Sequence, residues 1–162
     1  MAMEICLSTP DCQHTRELLS REWLETNGLG GYSSSTLANC PTRKYHGLLV
    51  ANLADSVSGR HVLVSGLDER LRAGADSASL SYLNFQQASA PESFPCLDQF
   101  NLGDYPVWRF VLGGVVVERS LLMLDRADTV IIRYQLLEVG ECAADEVAIS
   151  VRPLLACRRN HH

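Results

Sequence analysis

Seven runs of β-branched, aliphatic and aromatic residues, each bounded by turn formers, constrain this chain to a β-rich fold. They cover residues 45–53, 61–71, 80–85, 107–112, 115–124, 129–139 and 147–155. Val, Ile, Tyr and Phe fit a pleated, half-buried surface better than a helix. A short strand at 4–7 precedes them. Helical spacing is confined to one place, where Leu18, Leu19 and Trp23 fall on one face of a segment spanning 15–24 that Thr15 or Ser20 can cap. The glycine-bearing residues 27–32 then break regular structure.

The run at 129–136 alternates most cleanly: Val130, Ile132, Tyr134 and Leu136 share one face, and Thr129, Arg133 and Gln135 the other. Gly113-Gly114 separates two runs and predicts a two-residue hairpin, because both central positions of a type I′ turn need positive φ. Pairing Leu112 with Val115 sets Trp108 opposite Arg119. It also sets Arg109 opposite Glu118, as an ion pair contributing roughly 0.2–1 kcal/mol. Turns at 125–128 and 140–145 make the last four runs an up-and-down meander. The small, polar stretch 74–79 and the proline-bearing stretch 88–95 are expected to be surface loops. With 162 residues, 46% hydrophobic and 20% charged, the chain fits one domain over 1–162. The predicted class is mainly β, an antiparallel β-sandwich with a short N-terminal helical segment.

A formal net charge of −5 does not suit a nucleic-acid partner, whose phosphates call for a basic surface. A neutral polyol fits better. No apolar run has the length of a membrane span, and residues 1–15, with Glu4, Pro10 and Asp11, lack the basic and apolar regions of a secretory signal. A soluble, cytoplasmic protein is expected, with no membrane partner. Six cysteines without a C-x-x-C pair argue against zinc and for free thiols, a Cys6–Cys12 disulfide being the alternative.

The densest cluster of unusual residues lies at 21–50. Gly28, Gly30 and Gly31 stand beside Tyr32, and Arg43, Lys44, Tyr45 and His46 follow. Gly28-Leu29-Gly30-Gly31 is not a phosphate loop, since no Gly-Lys-Ser/Thr follows; a tight turn is the plain alternative. Trp23 serves either as a core anchor or as a stacking surface for a sugar. On a strand, Arg43 and Tyr45 share one face and Lys44 and His46 the other, so all cannot be buried without partners. A guanidinium, a phenol and an imidazole offer directional donors for hydroxyl groups, as carbohydrate recognition needs, or they are simply structural. Glycoside hydrolysis needs two carboxylates flanking the bond. Asp68 and Glu69 point to opposite faces of a strand, while Asp98, Asp104, Glu118 and Asp128 fall in turns or a salt bridge, so no catalytic pair emerges. His161 and His162 fall short of the roughly four ligands of a structural metal site. Neither metal nor cofactor is expected.

The run REWLETNGLGGYSSST, followed by TRKYHGLLV, resembles the opening signature of the N-terminal domain of the bacterial and archaeal type of glycogen debranching enzyme (amylo-α-1,6-glucosidase). Arg21, Glu22, Trp23, Asn27, Gly28, Gly30, Gly31, Tyr32, Thr42, Arg43, Tyr45, His46 and Gly47 carry the match. It continues through GRHVLVSGLDE, PVWRF, GVVVERSLLM, DTVIIRY and RPLLACRRNHH, so the terminal histidines are expected to be native. The resemblance implies a two-sheet supersandwich packed beside a C-terminal (α/α)6 barrel that carries the hydrolytic carboxylates. That barrel lies outside this sequence, and the sandwich itself is expected to be cut short at its C-terminus. The chain alone is therefore expected to be non-catalytic, while the whole protein hydrolyses α-1,6-glucosidic branch linkages. Its implied partners are glycogen or a branched α-glucan and the barrel domain. The candidate substrate-binding or interdomain residues are Trp23, Asn27, Tyr32, Arg43, Tyr45, His46 and Trp108. Two other roles stay open, a purely structural interdomain module and a stand-alone carbohydrate-binding protein, the latter disfavoured by an aromatic content of 7%.

Overall fold

The computed structural model describes residues 5–8, 12, 14–53, 59–83 and 96–160. The chain opens with β1 (Ile5–Leu7), α1 (Thr15–Ser20), β2 (Glu22–Thr26) and β3 (Tyr32–Thr36). It continues through β4 (Gly47–Asn52), β5 (Arg60–Ala73), β6 (Asp76–Ser79) and β7 (Leu97–Leu102). The last strands are β8 (Pro106–Leu112), β9 (Val115–Met123), β10 (Val130–Val139) and β11 (Val147–Arg159). They form two antiparallel sheets, one five-stranded in the order β1-β7-β8-β9-β10 and one six-stranded in the order β11-β5-β4-β3-β2, with β6 beside β5. Alternate side chains of the two sheets meet between them, as in a β-sandwich. Trp23 of β2 meets Trp108 of β8 edge-on at 5.5 Å, and Phe100 of β7 meets Trp108 at 5.2 Å. The mainly β sandwich and its short N-terminal helix match the expectation. No helix among the described residues is long and apolar enough to cross a membrane, and none of the six cysteines is joined in a disulfide.

The diglycine hairpin forms in the predicted register, with Leu112 opposite Val115, Arg109 opposite Glu118 and Trp108 opposite Arg119. Gly113 and Gly114 both have positive φ, 58° and 79°. The predicted ion pair does not form. Arg109 turns instead to Asp98 of the adjacent β7 at 3.6 Å and, beyond β9, to Glu138 of β10 at 3.7 Å. The meander also needs correcting, because β8, β9 and β10 are consecutive neighbours but β11 crosses to the other sheet and pairs with β5. Alternation in β10 sends Val130, Ile132 and Tyr134 towards the core, while Leu136 remains 42% exposed next to a register slip at Leu136/Glu138.

Helical spacing at 15–24 is only half realised. α1 stops at Ser20, Arg21 is extended, and Trp23 lies on β2 with its indole N–H donating to Thr36 O at 3.2 Å. Neither Thr15 nor Ser20 caps α1; Ser20 Oγ donates to Glu17 O at 2.8 Å. The stretch 74–79, expected as a loop, contains β6, which pairs antiparallel with the end of β5. Of the strand expected at 80–85, residues 80–83 are irregular and the remainder lie outside the described residues. The expected loop at 88–95 and His161 and His162 also lie outside them.

Between the sheets sits a buried ionic cluster. Glu69 of β5 accepts from Arg119 Nε of β9 at 2.7 Å and from the Tyr134 hydroxyl of β10, and both Glu69 and Arg119 are fully buried. The Arg119 guanidinium also lies 4.5 Å from the Trp108 ring, a cation–π contact strengthened by desolvation. Burial, and then the Glu69 charge, push the Tyr134 phenol well above its ordinary pKa of 10.0. It therefore stays a donor throughout the neutral range.

Candidate functional site

The residues of the 21–50 stretch assemble around one turn and one loop. In the turn, Asn27 Oδ1 accepts from Leu29 N and Gly31 N, both at 2.9 Å. Its Nδ2 donates to Asp128 Oδ1 at 2.8 Å and to Ala127 O at 3.2 Å, and its backbone carbonyl accepts from Arg126 N at 2.8 Å. One fully buried side chain thus ties the 27–31 turn of one sheet to the β9–β10 turn of the other. Gly28 and Gly30 supply the positive φ, 71° and 90°, that the tight turn needs. Gly31 is required for space: a Cβ there would stand 2.6 Å from both Asn27 Nδ2 and Asp128 Oδ1.

The loop between β3 and β4 is not a strand, so the strand-face argument for Arg43 to His46 does not apply. His46 organises the loop instead. Its Nδ1 accepts from Thr42 N at 3.0 Å and from Arg43 N at 3.4 Å, so the ring proton of the neutral imidazole sits on Nε2. Nε2 faces Glu22 Oε1 at 3.4 Å, within ion-pair reach but without a hydrogen bond of good geometry. Burial holds the imidazole below its ordinary pKa of 6.5, with Glu22 opposing that shift and Arg43 reinforcing it. Arg43 Nε reaches the same Glu22 oxygen at 2.7 Å. On the far side of the loop, Arg158 of β11 donates to Lys44 O at 2.8 Å, and the Lys44 ammonium lies 5.1 Å from the Tyr45 ring centre.

Turn and loop flank an open cleft of about 540 Å³ on the face of β2 and β3 turned away from the five-stranded sheet. The register explains this face, since Leu24 opposes Ser34 and Thr26 opposes Tyr32, all on the side opposite Trp23. Tyr32 hydroxyl donates to Tyr45 O at 2.6 Å and accepts from Asn160 Nδ2 at 2.9 Å. Arg60 of β5 lies 5.8 Å from the centre of the Tyr32 ring. Leu24, Leu29 and Tyr45 are exposed apolar groups of this region, at 58%, 55% and 43%. Glu22, Arg43, His46, Arg60 and Asn160 bring polar groups to the same lining, the mixed arrangement of a recognition site.

Of the seven candidate residues, the fold brings Tyr32, Arg43, Tyr45 and His46 to this cleft. Asn27 lies beneath it as the linchpin of the turn. Trp23 and Trp108 are core residues, 2% and 0% exposed, with the Trp108 indole N–H donating to Leu37 O at 2.9 Å; neither has a free face to offer a sugar. Sequence reasoning passed over Glu22, Arg60 and Asn160 as site residues. Each lies in a segment that carries the family resemblance, Glu22 in the opening run, Arg60 in GRHVLVSGLDE and Asn160 in RPLLACRRNHH, but that Arg60 and Asn160 reach the cleft follows only from strand pairing across the sheet. Glu22 is the only carboxylate among the described residues that line the cleft, and a glycosidase centre needs two. No group of three or more His, Cys, Asp or Glu that could hold a metal occurs among the described residues.

Comparison with curated proteins and with solved structures found no match. The family model described as glycogen debranching enzyme N terminal matches residues 21–162, from the residue before β2 to the end of the chain. The cleft and every strand but β1 fall within that match, and the chain belongs to the glycogen debranching enzyme N-terminal family.

Proposed function

We propose that this chain is the non-catalytic N-terminal domain of a glycogen-debranching glycoside hydrolase and that its cleft contacts the α-glucan substrate beside a catalytic (α/α)6 barrel. The observation that carries the reading is the convergence of Tyr32, Arg43, Tyr45 and His46 on one open cleft with a mixed polar and apolar lining. A chain that presents guanidinium, imidazole, phenol and carboxylate groups around a cleft with exposed aromatic and aliphatic surface suits a neutral polyol. Hydrolysis of the α-1,6 linkage would fall to carboxylates outside this chain.

A second reading, an interdomain seam without sugar, is favoured by the exposed Leu24, Leu29 and Tyr45, which suit a protein surface equally well. Calorimetric titration of the purified chain with glycogen and with branched maltodextrin separates the two. Saturable binding, weakened about tenfold by Arg43→Ala or Tyr45→Ala in a folded chain, is the expected result. A folded wild-type chain that binds neither glucan leaves the seam, and release of glucose from the dextrin would overturn the non-catalytic role.

A further inference from the structure

Two nearly inaccessible side chains in the cleft carry polar atoms without a hydrogen-bond partner among the described residues: His46, 3% exposed, at Nε2, and Asn160, 2% exposed, at Oδ1. Buried groups of this kind are costly unless something pairs with them. What each offers is fixed by its other contacts. His46 Nδ1 accepts two backbone N–H groups, which leaves Nε2–H as a donor. The Tyr32 hydroxyl spends its one proton on Tyr45 O, so it accepts from the Asn160 amide nitrogen and leaves Asn160 Oδ1 as an acceptor.

We propose that Glu22, His46 and Asn160 form a hydroxyl-recognition subsite for a neutral pyranose, an inference that rests on the sugar-binding reading of the cleft. A hydroxyl group both donates and accepts. His46 Nε2 and Glu22 Oε1 stand 3.4 Å apart, a spacing that lets one hydroxyl oxygen accept from the imidazole and donate to the carboxylate at ordinary hydrogen-bond distances. Asn160 Oδ1 takes the proton of a second hydroxyl. Arg43, held to Glu22 at 2.7 Å from the exposed side, offsets the carboxylate charge, so the subsite does not select for a cation. Glu22 and Asn160 are specificity residues in this arrangement.

The test is calorimetric titration of the full chain with branched maltodextrin and with its fully O-methylated form, which keeps acceptors but has no hydroxyl protons. His46→Asn retains an oxygen that can accept from Thr42 N and Arg43 N while removing the donor aimed at Glu22, and Glu22→Gln keeps the shape while removing the charge. Each is expected to weaken dextrin binding about tenfold at unchanged melting temperature. The double variant is expected to be no more than about twofold weaker than the worse single one, because both groups serve one hydroxyl. Methylated dextrin is expected to bind at least about tenfold more weakly than the parent. If wild type binds dextrin but the variants or the methylated ligand bind as well as their references, or the two losses multiply, the subsite is overturned and the sugar-binding cleft stands. If wild type binds no dextrin, both fall.

Discussion

Gly31 and His46 show how single residues decide whether the cleft exists. A methyl group at Gly31 would press within 2.6 Å of the Asn27–Asp128 hydrogen bond that joins the two sheets. Overpacking of this kind typically costs about 1–3 kcal/mol, so urea unfolding of Gly31→Ala is expected to show a loss in that range. At Gly59, where no described residue stands within 4 Å of the added carbon, backbone strain at its positive φ is the cost that counts, and Gly59→Ala should lose about 1–2 kcal/mol; the reverse order would show that the turn yields freely. His46 makes stability depend on pH. Its folded pKa lies below the ordinary 6.5 because burial disfavours the cation, so the unfolded chain takes up the proton first as pH falls. Stability is therefore fully present above about pH 6.5 and is lost as pH drops from there towards the folded value. Thermal unfolding between pH 7.5 and 5 should show a steeper decline in wild type than in His46→Asn, and equal slopes would remove His46 from the balance. The signature run marked the site because unusual residue types crowd into it. The run could not show that His46 is buried with a fixed tautomer, that Glu22 faces it, or that Asn27 supports the turn from below, since those facts arise from contacts across long separations.

The strands that were legible are those whose side chains alternate and whose turns are marked by glycine or aspartate, as with β8, β9 and their diglycine hairpin. β2 and β3 were hidden for different reasons. Leading into β2, the spacing of Leu18, Leu19 and Trp23 mimics a helical face, yet Trp23 meets Trp108 edge-on across the sandwich, and pairing with β3 overrides the local pattern. β3 reads Tyr-Ser-Ser-Ser-Thr, polar enough to pass for a loop, and is a strand because neighbours pair with it on both sides. Between the sheets, β5, β9 and β10 are joined through Glu69, Arg119 and Tyr134. Removing one partner of a buried pair strands the other charge, which costs about 3–5 kcal/mol, while replacing both by apolar groups is often neutral. Arg119→Met should therefore destabilise the chain by that amount in chemical denaturation, and Glu69→Leu added to it should recover most of the loss. A double variant no more stable than Arg119→Met would mean that Arg119 acts chiefly through its stacking on Trp108.

Across the whole molecule the two sheets end very differently at their two sides. The edges at β1 and β2 are short, 3 and 5 residues. At the opposite ends of the two strand orders lie β10 and β11, which are 10 and 13 residues long. These long edges also carry exposed apolar side chains: Ile131, Leu136 and Leu137 on β10, and Val151 and Leu155 on β11, Leu155 being 77% exposed. Sequence reasoning expected unpaired edges on a sandwich cut short but placed β11 within the same sheet as β10, and so missed that, among the described residues, each sheet ends on one of these two long strands. The crossover is dictated by pairing with β5 over residues far away in the chain, which no local pattern encodes. Unpaired backbone along a long, apolar edge is a template for a further strand, and in a solution of the purified chain the strand available in quantity is another copy. Light scattering should show the mass rising from monomer towards dimer or beyond as concentration increases. A lysine on an edge opposes such pairing by its charge and hydration, so Leu137→Lys and Leu155→Lys are expected to shift the onset of association to higher concentration without lowering the melting temperature. A wild-type chain that stays monomeric at every concentration would show that Arg133, Arg152 and Arg158, already on these strands, protect the edges well enough by themselves.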